Sequence, residues 1–436
     1  MRTNFSPDQL QLPQLSQVEH NLRACVHCGI CTASCPTYLL TGDERDSPRG
    51  RIILIKEMLE SDAVPSDETV HHLDRCLSCL ACRSACPSSV DYRQLIDEAR
   101  SHIARTYRRG HAERLLRRLI LTTLSRPALF RSGAQLARLL SPLARSLPGR
   151  LGHLIAKGAR ALPPRAPLSV PETVEREVAL LRGCVQAAMA PSIDAATARV
   201  LSRRGIRLVP LEAAGCCGAL AHHLGEAAAA KASATSVLAA FAAAGGTERF
   251  GEILITATGC TAHLGTYADL FDAADPLLAP VQGMVGRIAD LTQLVRPLKI
   301  AAPQALRVAM HRPCSLSHGL RQRGDGASLL AAAGHTIIEL SEADICCGSA
   351  GSYSLLQPEL SGQLRTRKRA HITHSAAHVV VSSNIGCIDQ LADPAGPAVM
   401  HWIELLDWSE GGPVPPALRA HLHSLRSPAP ASVSVA

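Results

Sequence analysis

Four short aliphatic runs occur from about residue 177 onward, and a cysteine follows each of them. Such runs, without polar alternation, are typical of strands buried on both faces of a parallel sheet. Alanine-rich stretches of helical composition, such as 226–244, separate the runs. The pattern predicts two βαβ-type units in which each cysteine lies where a strand ends and its loop begins, at the sheet edge where ligands bind. These cysteines are Cys184, Cys260, Cys314 and Cys387.

The first hundred residues have a different pattern, in which short helices alternate with cysteine-rich loops. Ser47-Pro48 should begin a helix that runs through Met58, because proline suits the first helical turn. A second short helix should lead into Cys76, and a third should follow Tyr92. This region is therefore expected to be mostly helix and loop.

The two βαβ-type units form an internal repeat, and each contains a Cys-Cys-Gly motif. In both, a cysteine precedes the adjacent pair by 32 residues, and another follows the pair by 43 residues in one unit and 40 in the other. Free cysteine is often simply a small buried residue. Matched spacing around an adjacent pair nevertheless favours a cluster or a redox-active thiol site. The candidate cofactor-binding residues are Cys184, Cys216, Cys217, Cys260, Cys314, Cys346, Cys347 and Cys387.

Two further cysteine runs near the amino terminus share the spacing C-x-x-C-x-x-C-x-x-x-C-P. In bacterial two-cluster ferredoxins, three thiolates on such a tight loop bind one [4Fe–4S] cluster and the fourth binds the other. Zinc sites more often use two C-x-x-C pairs separated by a longer loop, and disulfides are not expected in a long chain without a secretory signal. The motif therefore predicts two [4Fe–4S] clusters and an electron-transfer role. The metal ligands would be Cys25, Cys28, Cys31 and Cys86 for cluster 1, and Cys35, Cys76, Cys79 and Cys82 for cluster 2.

The size and composition of the chain fit a multidomain protein of the cytoplasm. Its 436 residues, 47% of them hydrophobic, are enough for two or three domains with cores. The first twenty residues have no apolar signal core, and no run of about 18 strongly apolar residues occurs. We therefore expect a cytoplasmic protein that is at most peripheral on the inner face of the cell membrane.

The formal charge of +8 is concentrated in one stretch. Between Arg105 and Arg165 there are fourteen Lys or Arg and one acid, so the rest of the chain carries about −5. Apolar residues at near-helical spacing predict basic amphipathic helices here, which either contact anionic lipid or an acidic subunit, or form a solvated linker whose leucines pack on a neighbouring domain. Nucleic acid is not an expected partner, because few aromatics interleave with the basic residues. The apolar positions are Leu115, Leu116, Leu119, Ile120, Leu136, Leu139, Leu140 and Leu143.

These patterns together predict an α+β multidomain protein. A helical two-[4Fe–4S] ferredoxin-like domain would span 1–100, and a basic helical linker would span 101–172. Two α/β Cys-Cys-Gly repeat units would follow, over 173–300 and 301–425. The chain contains neither a G-x-G-x-x-G dinucleotide loop nor a P-loop.

Several short strings resemble the iron–sulfur subunits of glycolate oxidase (glycolate dehydrogenase), and the resemblance covers nearly the whole chain. They include Leu22-Arg-Ala-Cys-Val-His-Cys-Gly, Pro48-Arg-Gly-Arg-Ile, Cys346-Cys-Gly-Ser-Ala-Gly and His401-Trp-Ile-Glu. The resemblance implies a multi-subunit oxidoreductase in which separate FAD-binding subunits oxidise glycolate to glyoxylate. This chain would pass the electrons towards a quinone or another acceptor at the membrane, and no catalytic residue is expected on it.

Two other interpretations stay open. The chain could serve a lactate or glycerol 3-phosphate dehydrogenase complex, or it could be a non-enzymatic metal-binding or thiol scaffold. It also departs from the wider Cys-Cys-Gly family, which often closes its motif with C-x-x-C, because His263 and Gln390 occupy the final positions. This departure puts in doubt the noncubane clusters of heterodisulfide reductase relatives and leaves open a further conventional cluster at the repeats, or none. His263 could serve as an imidazole ligand, but a lone histidine is more often an ordinary hydrogen-bonding residue, and we favour that interpretation. The same applies to the other histidines near the thiols, which are His222, His223, His311 and His318.

Overall fold

The computed structural model describes residues 1–144, 152, 155, 158, 159, 162–164, 166–298, 300, 302–322, 324, 326–419 and 421. Within them, a helical amino-terminal part precedes two α/β units, each with a four-stranded parallel sheet. The predicted fold class is confirmed. Parts of the predicted linker, and residues 422–425 of the second predicted repeat, lie outside the described residues.

The amino-terminal part consists of short helices around a small apolar core that includes Leu22, Ile55 and Leu95. The Ser47 side chain accepts a hydrogen bond from the Gly50 N–H, so the helix that was predicted at Ser47-Pro48 is capped as its sequence indicates. The other two predicted helices are also present. The helices are α1 (Pro7–Leu10), α2 (Pro13–Ala24), α3 (Pro36–Thr41), α4 (Pro48–Ser61), α5 (Asp67–Asp74), α6 (Ala81–Ala85) and α7 (Tyr92–Thr106).

Two basic helices, α8 (His111–Ser125) and α9 (Pro127–Ala144), follow and pack on each other. Arg109 and Arg117 both bind Asp74 of α5, which fastens α8 to the amino-terminal part. Helices are thus present in this stretch as predicted, and their role as a linker or as a contact surface stays a prediction. Leu115, Leu119, Leu136, Leu139 and Leu140 are exposed, and the side chain of Leu143 lies outside the described residues. In the described part of the chain, no helix combines the length and apolarity that a bilayer span requires.

The strand order is β2-β1-β3-β4 in the first sheet and β6-β5-β7-β8 in the second. Because the chain crosses from one side of the first strand to the other, the topological switch points lie between β1 and β3 and between β5 and β7. The strands are β1 (Arg176–Leu180), β2 (Ile206–Pro210), β3 (Ile253–Leu254), β4 (Ile288–Ala289), β5 (Arg307–Met310), β6 (Thr336–Glu339), β7 (Val379–Ser382) and β8 (Ala398–His401).

Helices cover the faces of both sheets, and the alanine-rich stretch forms one of them, as predicted. The first unit contains α10 (Gln186–Met189), α11 (Pro191–Ser202), α12 (Ala219–His223), α13 (Ala227–Ala243), α14 (Gly246–Arg249), α15 (Thr258–Leu264), α16 (Leu278–Val285) and α17 (Leu291–Leu294). The second contains α18 (Ala327–Ala332), α19 (Tyr353–Leu356), α20 (Pro358–His374), α21 (Ile385–Leu391) and α22 (Trp402–Ser409).

The four strands that were predicted before cysteines are confirmed, but two of the cysteines lie elsewhere than expected. Cys184 follows β1 in a non-helical turn, as predicted, and Cys314 follows β5 as the residue immediately before a short π-helix, Ser315–Gly319. Cys260 and Cys387 instead lie in the first turn of α15 and α21, because each helix begins within four residues of its strand. The prediction that each cysteine lies where a loop begins was therefore wrong for these two.

One hydrophobic core is shared by the two α/β units. Val178 and Leu180 of β1 belong to it, together with Val308 of β5, whereas Ala179 faces the first unit's own helices. This alternation follows from the strand geometry, in which successive side chains point to opposite faces. The two repeats are thus a single packed body.

The carboxyl-terminal edges of the two sheets meet directly. The Thr258 N–H donates to the Ser383 carbonyl oxygen at 3.1 Å, and the Thr258 and Ser315 hydroxyls are 2.9 Å apart. His401 Nε2 is 3.0 Å from the Thr256 carbonyl oxygen. Residues that follow β3 therefore contact residues that follow β5 and β7, so the two switch points face each other.

A buried carboxylate strengthens the contact between the units. Asp407 of α22 is 1% exposed and accepts hydrogen bonds from Arg199 and Arg203 of α11 at 2.6 and 2.9 Å. Arg203 also binds Glu410. Both arginines are partly exposed, so the cost of desolvating this cluster falls mainly on the carboxylates.

The glycine of each Cys-Cys-Gly motif is required by its backbone conformation. Gly218 and Gly348 have φ values of +82° and +85°, in the left-handed region that favours glycine. A Cβ at Gly348 would lie 2.9 Å from both Leu364 Cβ and the Ser361 carbonyl oxygen, so the motif packs tightly against α20.

We expect Asp407→Asn to lower the free energy of unfolding by about 2–3 kcal/mol, the upper range for hydrogen bonds to charged groups. The isosteric amide keeps the shape of α22 but removes the anionic acceptor of two guanidinium groups. Urea denaturation followed by circular dichroism measures the loss. The control is Glu339→Gln, whose carboxylate pairs with Arg312 and is 64% exposed, and which should cost less than about 1 kcal/mol. Equal losses for the two variants would show that the buried carboxylate does not hold the units together.

Gly348→Ala should destabilise the protein by at least about 1–2 kcal/mol, because it combines a left-handed φ with a steric clash. Gly362→Ala is the matched control, since Gly362 lies in α20 and a Cβ added there would have no heavy atom within 4 Å. That substitution should stabilise the protein by about 0.4–1 kcal/mol. Thermal unfolding under anaerobic conditions compares the two, and a shift of the same sign in both would refute the tight packing of the motif.

Candidate functional site

The first group of thiols in the amino-terminal part brings together residues from both cysteine runs. Burial, together with the neighbouring Cys25, raises the pKa of Cys31 to about 11, and Cys86 and Cys28 lie close enough to contribute. Cys25, Cys28, Cys31 and Cys86 also line one small pocket. Cys28 is exposed, so this group lies near the protein surface.

The second group is more deeply buried. Burial is the main reason that the pKa of Cys82 lies well above its ordinary value, and Cys79, Cys76 and Cys35 add to it. Cys31 also contributes, so the two groups are neighbours. The eight amino-terminal cysteines are thus neighbours, Cys82 also lines the pocket of the first group, and the division into two ligand sets stays a prediction.

The two cysteine loops share one backbone shape. Residues on both sides of the middle cysteine have positive φ values, at His27 and Gly29 in the first loop and at Ser78 and Leu80 in the second. Left-handed conformations at residues other than glycine cost of order 1–3 kcal/mol and concentrate at functional sites. The two loops therefore have the same local backbone conformation around their middle cysteines.

A buried cation lies beside the second group, and it was not predicted from the sequence. Arg51 is 1% exposed; it donates to the His72 carbonyl oxygen at 2.8 Å, and its Nη1 lies 3.9 Å from Cys35 Sγ. Burial opposes its charge, but Cys76 and other nearby groups raise the pKa of Arg51. Asp46 accepts hydrogen bonds from Arg51 and is itself fully buried. The guanidinium therefore stays charged next to the sulfurs. Its only sequence signal was its place in the string Pro48-Arg-Gly-Arg-Ile.

The four thiols of each repeat lie in a chain of contacts. Cys184 Sγ is 3.5 Å from Cys216 Sγ in the first repeat, and Cys314 Sγ is 3.8 Å from Cys346 Sγ in the second. Hydrogen bonds from Cys184 and Cys217 lower the pKa of Cys216. Cys217 is in turn linked to Cys260, and Cys347 to Cys387.

One cavity of about 570 Å³ connects the repeats with the amino-terminal part. It lies where the two switch points face each other, and α8 and α9 cover it with Leu116, Ile120 and Phe130. Ten of the sixteen cysteines line it, from the second thiol group and from both repeats. They are Cys76, Cys79, Cys184, Cys216, Cys217, Cys260, Cys314, Cys346, Cys347 and Cys387.

The second thiol group and the second repeat are adjacent within this arrangement. Burial raises the pKa of Cys79, and the nearby Cys314 raises it further. Cys79 in turn is close enough to Cys346 to contribute to the raised pKa of that thiol. On the opposite side, Ser125 of α8 donates a hydrogen bond to Cys216 of the first repeat. The second repeat therefore adjoins the ferredoxin-like part at Cys79, and the first repeat lies against the basic helices as well as against Asp97 of α7.

The histidines near the thiols fall into two kinds. His318 behaves as we interpreted it, since Nδ1 lies 2.9 Å from Ser84 Oγ and Nε2 lies 3.3 Å from the Asp344 carbonyl oxygen. His222 binds Asp97 at 3.0 Å, and His223 lies near the same carboxylate. His263 and His311 do not fit the interpretation, because Nε2 of His263 and both ring nitrogens of His311 are buried without a hydrogen-bond partner.

Lys368 is a second buried cation that was not predicted from the sequence. It is 2% exposed and donates to the Glu342 carbonyl oxygen. Burial lowers the pKa of Lys368, and Cys347, Cys346 and Cys387 oppose that effect. No sequence signal marked it, because it belongs to a basic run on α20 that reads as a solvated helix face.

The donor set fits iron–sulfur chemistry. All sixteen cysteines lie within the described residues and are free thiols. Burial raises the pKa values of Cys79 and Cys82, so these sulfurs become thiolates only where positive charge compensates them. Bound iron supplies that charge, and Arg51 adds to it beside Cys35.

Comparison with known families agrees with this assignment. The model of the 4Fe-4S dicluster domain matches residues 21–90. The model of the cysteine-rich domain matches twice, over residues 178–265 and 308–392. The chain therefore carries iron–sulfur clusters, and its α/β units are a tandem pair of cysteine-rich domains.

Curated relatives cover most of the chain. The glycolate oxidase iron-sulfur subunit of Escherichia coli (strain K12) is 38% identical over 413 residues, which is 93% of this chain and 98% of that protein. The probable glycolate oxidase iron-sulfur subunit of Bacillus subtilis (strain 168) is 30% identical over 86% of this chain and 89% of that protein. Lactate utilization protein A of Shouchella clausii (strain KSM-K16) is 29% identical but matches only 48% of this chain. The chain belongs to the family of glycolate oxidase iron-sulfur subunits.

Proposed function

We propose that this chain is the electron-transfer subunit of a glycolate dehydrogenase complex, in which FAD-binding subunits oxidise glycolate to glyoxylate. The observation that supports it most is the unbroken series of thiol groups from exposed Cys28 to the cavity between the repeats. A chain with a catalytic role of its own would need a substrate site with a nucleophile or a proton-transfer group. Electron transfer along a series of metal-binding thiol groups needs neither of them. The relatives that cover most of the chain are named as subunits, so the flavin and the hydroxy acid belong to other polypeptides.

The proposed ligand sets follow the ferredoxin pattern, in which the fourth cysteine of each run crosses to the other cluster. Each set would hold one [4Fe–4S] cluster, and bound clusters of this type accept and release single electrons. The groups in the structure support this pairing, because Cys86 lies near Cys31 and Cys35 lies near Cys82. The sets are Cys25, Cys28, Cys31 and Cys86, and Cys35, Cys76, Cys79 and Cys82.

The repeat thiols are proposed to form a further iron–sulfur site next to the second set. This further site is supported by the closeness of Cys79 to Cys314 and Cys346. Lys368 lies beside the sulfurs of the second repeat, where a buried ammonium compensates anionic thiolates.

The acceptor is proposed to be a lipid-soluble quinone, reached at a membrane surface. The cavity of about 570 Å³ falls within the usual size of small-molecule sites, and the apolar side chains of α8 and α9 form one wall. The outer faces of the same helices carry exposed leucines among arginines, the composition of helices that lie on anionic bilayers. One pair of helices would thus contact the membrane and cover the cavity.

Lactate is the competing substrate, because several lactate utilization A proteins match about half of the chain. Those proteins are themselves covered to 88% and 98%, so they share the repeats or the ferredoxin-like part without spanning this whole chain. Full-length coverage favours glycolate.

Glycolate should reduce the iron of this chain when it is assembled anaerobically with its FAD-binding subunits. We expect the EPR signals of reduced iron–sulfur clusters to appear within the time that the complex needs for one turnover of glycolate. Metal analysis should give about eight iron atoms per chain from the two ferredoxin-like sets alone. Omitting the flavin subunits should abolish the reduction by glycolate but not by dithionite.

Reduction by lactate but not by glycolate would overturn the proposed substrate and leave the electron-transfer role. Stoichiometric zinc with no reducible EPR signal would overturn the electron-transfer role itself and favour a metal-binding scaffold.

The membrane proposal predicts that the complex sediments with vesicles containing about 30% anionic lipid and is released by salt, because exposed charges are screened within about 8 Å at physiological ionic strength. Replacing Leu136 and Leu139 together with serine should weaken binding about tenfold, since both side chains are exposed and would insert into the bilayer. The control is Val64→Ser, which removes an equally exposed apolar side chain outside α8 and α9.

Binding that resists salt, or that is lost equally in the Val64 variant, would contradict a membrane surface on α8 and α9. Absence of vesicle binding, with salt-sensitive binding to an acidic subunit instead, would assign the basic helices to a protein partner.

A further inference from the structure

His311 has the environment of a metal ligand rather than of a core histidine. Its side chain is 3% exposed, and neither ring nitrogen has a hydrogen-bond partner. Buried polar groups are almost always paired, and an unpaired one costs about 1–3 kcal/mol. By contrast, both ring nitrogens of His318 and His401, which are buried in the same repeat, are hydrogen bonded.

Two thiols lie next to this unpartnered ring. A nitrogen of His311 and the sulfurs of Cys347 and Cys387 all lie within 4.8 Å of one another, and all three side chains are buried. No other histidine, cysteine or carboxylate cluster among the described residues meets this spacing. Ligand atoms around a single metal lie at 2.0–2.3 Å from it, so three ligands this close need only small shifts to share one ion.

The first repeat has no histidine at the position equivalent to His311. The aligned strings around Cys184 and Cys314 place Leu181 where the second repeat has His311. Leu181 is 2% exposed and packs in the apolar core of the first repeat. The two repeats thus share a thiol arrangement and a backbone but differ in the residue that lies beside the thiols.

We propose that the second repeat binds iron through a mixed thiolate–imidazole ligand set in which His311 supplies the nitrogen and Cys347 and Cys387 supply sulfur. Imidazole and thiolate together suit both iron and zinc. The choice of iron rests on the proposed electron-transfer function, because Cys79 of the second ferredoxin-like set adjoins Cys314 and Cys346 of this repeat. The first repeat has leucine at this position, so the surroundings of the two thiol groups differ chemically.

The test uses the full chain, purified anaerobically and reduced with dithionite, so its outcome does not depend on glycolate or on flavin subunits. Pulsed EPR should detect strong coupling to a directly bound histidine nitrogen, and labelling with [15N]histidine should change it from a 14N to a 15N coupling. His311→Leu should abolish the coupling, and leucine is tolerated at the equivalent position of the first repeat. His318→Leu is the matched control, since it removes a buried histidine from the same repeat and should leave the coupling intact.

Metal analysis of the wild-type chain and of further variants tests the same site if His311→Leu folds poorly. Iron in the wild-type chain should exceed the roughly eight atoms of the two ferredoxin-like sets, and Cys347→Ser should lower this excess. His311→Cys offers sulfur in place of nitrogen, so it should retain iron while losing the nitrogen coupling.

Three results would overturn the proposal. They are zinc in place of the excess iron, no iron beyond the ferredoxin-like sets, or a histidine coupling that persists in His311→Leu. A failure of glycolate to reduce the chain would leave these readouts unchanged, so the proposed substrate and this site fail separately.

Discussion

The hydrophobic core that the two parallel sheets share determines where sulfur can lie in this chain. Val178 and Val308 point into that core from different sheets, and the residues between core positions face the helices of their own unit. A slip of one residue in either strand would exchange the two faces, so the core sets the register. Because both sheets are fixed against the same core, the residues that follow β3 and β7 meet, as the bond between Thr258 and Ser383 shows. Eight repeat cysteines therefore line one cavity instead of two separate sheet edges.

Charge compensation is the second constraint on the site. A buried cation costs several kcal/mol unless anions surround it, yet Arg51 and Lys368 are both almost fully buried beside cysteines. Arg51 has Asp46 as a carboxylate partner, whereas Lys368 donates to a backbone carbonyl and lies near Cys346 and Cys347. Neutral thiols would do little for an ammonium ion in such a place. Metal-bound thiolates are anionic, which gives both cations a physical reason for their burial.

The sequence predicted those features whose cause is local. The cysteine spacing followed by proline indicated the two ferredoxin-like sets, and aliphatic runs indicated the strands before Cys184 and Cys314. Ser47-Pro48 indicated a helix start because capping depends on a few adjacent residues. Helix boundaries were less certain, so Cys260 and Cys387 were expected in loops although they lie in the first turns of helices.

Features that depend on distant residues could not be predicted in this way. His311 resembles any core histidine until the structure shows that its ring has no partner, and Lys368 resembles a surface residue of a basic helix. The shared core and the cavity also arise only when the two repeats pack together. These are contacts between residues far apart in the chain, for which periodicity and spacing carry no signal.

The duplication of the repeat gives the chain two similar sites in different surroundings. The second repeat adjoins Cys79 of the ferredoxin-like part, and the first adjoins Ser125 of the basic helices. A backbone that is set by glycine at the Cys-Cys-Gly motif and by the shared core can hold its thiols in place while a neighbouring residue changes from leucine to histidine. Exchanging one ligand is known to change the reduction potential of an iron–sulfur centre, as imidazole does in Rieske centres. A histidine ligand at position 311 would therefore give an iron–sulfur centre of the second repeat a different reduction potential from one beside Leu181 in the first.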